Sequence, residues 1–163
     1  MGKTFIPSKN IGLFFGIKKA IALRIGNWEE TEKESLVIVA PETTPKKRIK
    51  TAESKRGKFL KKDKVTVKFI ENISNKASLE KNLKRLEQGI EVRHFPHHGF
   101  SVSVRDRKTV LLEFPMPKNE LLNILIKDRD FAKMTAAYFN NIWKKSQPLD
   151  KKLIEKLRWK FRR

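Results

Sequence analysis

The segment from Ile90 to Phe114, IEVRHFPHHGFSVSVRDRKTVLLEF, constrains the fold of this chain more than any other stretch. Three short runs rich in Val, Ile, Leu and Phe, at 90–95, 100–105 and 109–114, follow one another with only brief polar breaks between them. Such runs predict three successive strands, and Pro115 and Pro117 are expected to stop the last one. The same segment holds every histidine of the chain: His94, His97 and His98.

On either side the pattern alternates between helix and strand. Phe15 to Trp28 predicts a helix with Ile17, Ile21, Ile25 and Trp28 on one stripe. SLVIVA at 35–40 is a continuous apolar run that Pro41 stops, as in a strand buried on both faces. Thr43 or Thr44 before Pro45 signals the start of a helix, which Gly57 breaks. Val65, Val67 and Phe69 alternate with polar residues and predict the next strand, over 65–70. Asn75 or Ser78 caps a helix that places Leu79, Leu83 and Leu86 on one stripe and ends at Gly89. Leu121 to Ile126 reads equally as an edge strand or a helical turn. Asp128 or Asp130 caps a helix through Trp143, with Phe131, Met134, Tyr138 and Ile142 on its buried face. After Pro148 a last helix carries Leu149, Leu153, Leu157 and Phe161 on one stripe. The order predicts the α/β class, a mixed β-sheet flanked by helices.

Composition bounds the function. A chain of 163 residues is most simply one domain, able to bury roughly 70% of its unfolded surface. No run of eighteen apolar residues exists, and MGKTFIPSKN lacks the apolar core of a signal peptide, so no transmembrane segment is expected and the cytoplasm is the default. With no cysteine there is no disulfide, thiolate nucleophile or zinc–thiolate site. The formal charge is +20, with Lys and Arg (38) outnumbering Asp and Glu (18) about two to one. Surface adaptation explains many charges, but not that excess, so a polyanion is the expected partner, nucleic acid first. The cations cluster in two poles. One includes Lys46, Lys47, Arg48, Lys50, Lys55, Arg56 and Lys58; the other includes Lys151, Lys152, Arg158 and Arg162.

Within the strand cluster, IEVRH is followed by V-x-D-x-K-x-V-L-L (104–112), and F-x-x-x-W (139–143) closes the long helix. Together with GIKKAIALRI, SLVIVAP and VTVKFIENIS, these segments resemble a phospholipase D-like domain. The match is most similar to the effector domain of archaeal TrmB-type transcriptional regulators, a fold shared with sensor modules of some archaeal histidine kinases. The resemblance spans roughly 14–148. It implies a phospholipase D-like domain at 1–148 followed by a basic amphipathic helix at 149–163. That family's catalytic signature is His-x-Lys-x4-Asp. Anchored on Asp106, its His falls on Gly99 and its Lys on Ser101, while His98 stands one residue out of register and so on the opposite strand face. The resemblance therefore implies a scaffold without catalytic apparatus. TrmB-type regulators carry a winged-helix domain ahead of the effector domain. Only about a dozen residues precede Phe14, so the chain is expected to be a stand-alone version or a fragment of something longer, with a separate chain as one expected source of the DNA-binding part. Homodimerisation is also expected, with Phe95, Phe100 and Phe114 suited to an interface or to the core.

Arg93, His98, Arg105 and Lys108 are the candidates for the pocket that the lost active site would leave, since the corresponding strands line it in the family. Arginine offers a planar fork of donors suited to phosphate or carboxylate. The opposing reading pairs these arginines with Glu91 or Asp106. Three imidazoles at 94–98 match no recognised metal-ligand spacing, so no metal or cofactor is expected. The chain is expected to be a non-enzymatic regulatory module that binds nucleic acid. The alternatives are a phospholipase D-like phosphodiesterase using His98 and a small-molecule sensor holding its ligand on Arg93.

Overall fold

The computed structural model describes residues 10–39, 65–96 and 99–162. The basic pole at 46–58, and His97 and His98, lie outside the described residues. The elements run β1 (Ile11–Phe15), α1 (Ile17–Glu29), β2 (Glu34–Val39), β3 (Thr66–Glu71), α2 (Lys76–Glu87), β4 (Glu91–His94), β5 (Ser101–Arg105), β6 (Thr109–Met116), β7 (Glu120–Ile126), α3 (Arg129–Lys145), β8 (Gln147–Pro148) and α4 (Lys151–Lys160). The eight strands form one mixed sheet in the order β1-β7-β6-β5-β2-β3-β4-β8. Strands β2, β3 and β4 are parallel, and every other pairing is antiparallel.

Helix α3 covers one face. Its Ala132, Ala136 and Phe139 pack on Leu36, Ile38, Ile70, Val102, Val104 and Val110. On the other face α2 and α4 cover β3 and β4, burying Val67, Phe69, Val92, Leu79, Leu149, Leu153 and Leu157. Helix α1 covers the rest of that face, over β1 and β7. The side-chain caps follow the sequence. Asn75 and Ser78 form a reciprocal box on α2, Asp128 accepts from the Phe131 amide at 2.7 Å, and Asp150 from Leu153 at 2.9 Å.

Four expectations are corrected. Residues 11–15 form a strand, added to the sheet through β7, so 120–126 is an interior strand and not an edge or a helical turn. Strand β6 continues through Pro115 to Met116, because β5 reaches only to Glu113 and the rest of β6 pairs on one side alone; a missing donor is tolerated there. The buried face of α3 is Ala132, Thr135, Ala136 and Phe139; of the expected residues Phe131 and Ile142 pack half-buried against this core, while Met134 and Tyr138 are 63% and 49% exposed. Small alanines let the helix approach the sheet closely, which a search for large apolar residues overlooks. In α1 the fully buried residues are Ala20 and Asn27, and the isoleucine stripe is half-buried.

Candidate functional site

A row of polar side chains crosses the sheet on the face covered by α1, α2 and α4, beside the carboxyl ends of the parallel strands. Register aligns Asn123 with Glu113 and Glu113 with Ser101. It also aligns Val39 with Glu71 and Glu71 with His94. Because Ile38 faces Val102, Val39 and Ser101 join the two halves. Directly opposed residues share a face, so the row reads Asn123, Glu113, Ser101, Val39, Glu71, His94.

Each carboxylate in the row is neutralised from the covering helices. Arg24 of α1 grips Glu113 through Nε at 2.7 and 3.0 Å, and Asn27, one turn on, donates to Ser103 at 2.9 Å. Glu71 is 5% exposed and pairs with Lys81 at 2.6 Å and with Arg85, itself 4% exposed. Arg85 also donates to Asn82 at 2.8 Å and lies over the Phe69 ring at 4.3 Å. Burial acts to raise the Glu71 pKa, but the Arg85 and Lys81 charges outweigh it and hold the carboxyl below its ordinary value. At the end of the row the Ile73 amide donates to His94 Nδ1 at 3.0 Å, which suits a neutral ring with its proton on Nε2. Burial pushes the His94 pKa down, the Glu71 carbonyl 3.3 Å from Nδ1 acts upward, and the Lys160 charge acts downward. Among the described residues no cluster of three or more His, Cys, Asp or Glu is placed to hold a metal ion.

The described pocket candidates are not brought together. Arg93 projects to the face of α3, donates to the Trp143 and Ser146 carbonyls at 2.9 and 3.3 Å, and stacks on the Trp143 ring at 4.6 Å. It thereby satisfies the carboxyl end of α3. Arg105 lies at the far end of β5 from Ser101, paired with Glu30 and donating to Thr109 at 3.1 Å. Lys108 follows it in the hairpin, 3.7 Å from Glu32. Neither arginine forms an ion pair with Glu91 or Asp106. Asp106, at φ 48, accepts from the Glu32, Lys33 and Glu34 amides at 3.0, 2.9 and 2.9 Å, tying the β5–β6 hairpin to the start of β2. Burial opposes its ionisation, but those three amides and the Arg105 charge keep its pKa below the ordinary value. Phe100 and Phe114 stack at 4.7 Å, and Phe95 and Phe100 pack against the core under α3.

Gly99 and Ser101 take the two positions that the resemblance gives to the catalytic His and Lys. Gly99 has φ 146, a backbone conformation that residues with a Cβ rarely adopt. Of the second basic pole, Lys151, Lys152, Arg158 and Arg162 are all exposed on or just after α4. Sequence reasoning missed Arg24, Glu71, Lys81 and Arg85. The available signal was a glutamate, Glu71, standing in line with Val67 and Phe69 on the apolar side of an alternating strand, with Asn82 and Arg85 bordering the leucine stripe of α2.

No family model matches the chain, and no curated protein matches it in sequence. Solved structures do match it. TrmBL2, an archaeal chromatin protein whose structure shows a novel mode of DNA binding, superposes with a TM-score of 0.68 at 18% identity, over 90% of this chain and 56% of its own. The chain thus spans little more than half of that protein. Nuc from Salmonella typhimurium, a phospholipase D family member, gives 0.68 at 15% identity, covering 85% of this chain and 96% of its own. NucT from Helicobacter pylori gives 0.66 at 15%, with 85% and 98% covered. At these identities the likeness concerns architecture: the chain has a phospholipase D-like fold of the kind that the TrmB-type protein TrmBL2 shares.

Proposed function

We propose that this chain is a non-enzymatic, regulator-like module of the cytoplasm that binds nucleic acid through exposed cations. One observation carries the reading: the position assigned to the catalytic lysine is Ser101, aligned with a glutamate, Glu113, that Arg24 already neutralises. A phosphodiester brought to this row would meet two carboxylates whose cations are engaged. The φ of 146 at Gly99 supports the same reading, because a histidine there would be strained. Cations suited to phosphate stand instead on the outside, on α4. The DNA binding named for TrmBL2 is in keeping with this.

Titration of labelled duplex DNA, single-stranded DNA and structured RNA across a salt series tests the proposal, with cleavage products checked in the same samples. Six or more phosphate contacts would make affinity fall on the order of 1,000-fold between about 50 and 200 mM salt, without cleavage. Weak, salt-insensitive binding overturns the electrostatic mechanism. Cleavage abolished in His98→Ala overturns the non-enzymatic reading.

A further inference from the structure

The stripe Leu149, Leu153 and Leu157 of the last helical segment is consumed by the core, together with the half-buried Ile154 and Phe161. What remains outside is mostly cationic, with one carboxylate, Glu155, and one aromatic ring, Trp159, in it. At 3.6 residues per turn, Lys152, Lys156 and Trp159 fall at i, i+4 and i+7 on one strip, while Lys151, Arg158 and Arg162 form a second strip beside it that also carries the exposed Glu155. Trp159 is 60% exposed, whereas Trp28 and Trp143 are half-buried, and the Trp143 ring is sandwiched among Phe139, Arg93 and Lys68. Among the described residues no carboxylate lies within ion-pair distance of Lys151, Lys152, Lys156, Arg158 or Arg162.

We infer that the outward face of α4 takes a single-stranded stretch of nucleic acid, with phosphates on its two strips of cations and one unstacked base on the Trp159 indole. This rests on the nucleic-acid reading above and adds the form of the ligand. A flat π-face among cations suits single strands, because every unpaired base offers a ring to stack on. A base pair inside a duplex presents only its edges to a helix, so duplex DNA would use the cations and not the indole. A lipid surface fits less well, because an interfacial helix needs a free apolar face and the leucines of α4 are buried in the domain.

The test uses the whole 163-residue chain and two fluorescein-labelled probes, an oligothymidylate and a mixed-sequence duplex of equal length, titrated by anisotropy at matched salt. Trp159→Ala is expected to weaken oligothymidylate binding about tenfold, leave duplex affinity and both salt slopes unchanged, and keep the melting temperature. Trp159→Phe, which retains a stacking ring, is expected to recover most of the loss. Equal losses on both probes, or no loss on the single strand, overturn the inference while the wider nucleic-acid reading stands. A wild-type chain that binds neither probe overturns both, and that result is visible before any variant is made.

Discussion

Glu71 shows how one residue couples the site to stability. Its carboxylate is out of water, and two cations of α2 make that tolerable. Removing one member of such a group leaves the others charged and unpaired, at a cost of about 3–5 kcal/mol. Glu71→Gln is therefore expected to lower unfolding free energy by that order in urea, since Arg85 would stay buried without its anion. The sign of the pH effect follows from the lowered pKa. The contribution is complete above the unfolded carboxyl value of about 4.3 and is lost as pH falls through the lower folded value. The wild type should thus lose stability more steeply than Glu71→Gln below about pH 4. Parallel acid-unfolding curves for the two would show that Glu71 is not held ionised by its partners.

At the scale of elements, the β5–β6 hairpin owes its attachment to Asp106. Asp106 and Arg107 both sit at positive φ, 48 and 52, in the turn that Lys108 N–H closes on Arg105 O at 2.9 Å. Asp and Asn tolerate this conformation better than alanine. Asp106→Ala loses both that tolerance and the three amide bonds, and is expected to cost about 2–3 kcal/mol. Asp106→Asn keeps one amide oxygen and should cost less; equal losses in thermal unfolding would contradict this account. The elements themselves were largely legible. Asn75 and Asp128 announced helix starts, and SLVIVA announced the central strand. The rotation of α3 onto its alanines was not legible, because alanine carries little weight in an apolar count yet sets how closely the backbone approaches the sheet. Nor was the use of Arg93 as the carboxyl-terminal partner of α3: residue 93 and carbonyls 143 and 146 meet only when β4 and α3 pack.

For the whole molecule, a charge of +20 governs association more than folding. If the cations of α4 contact phosphates, Lys152→Gln with Lys156→Gln should lower the slope of log affinity against log salt by about 1 to 2. Both side chains are exposed, so stability should change by less than about 0.5 kcal/mol. An unchanged slope would place the phosphate contacts elsewhere on the molecule.

By itself the sequence determined the α/β class, the strand cluster of 90–114, the capping residues and the leucine stripe that docks the last helix, because each depends on spacing within one segment. Only the tertiary structure decided that residues 11–15 become a strand, and that Glu113 meets Arg24 and Glu71 meets Arg85. Most of these join groups far apart in the chain, 89 positions for Arg24 and Glu113, where no local period carries information. A buried ion pair is favourable only once both partners are desolvated together, so it is specified by the assembled sheet and not by either segment alone.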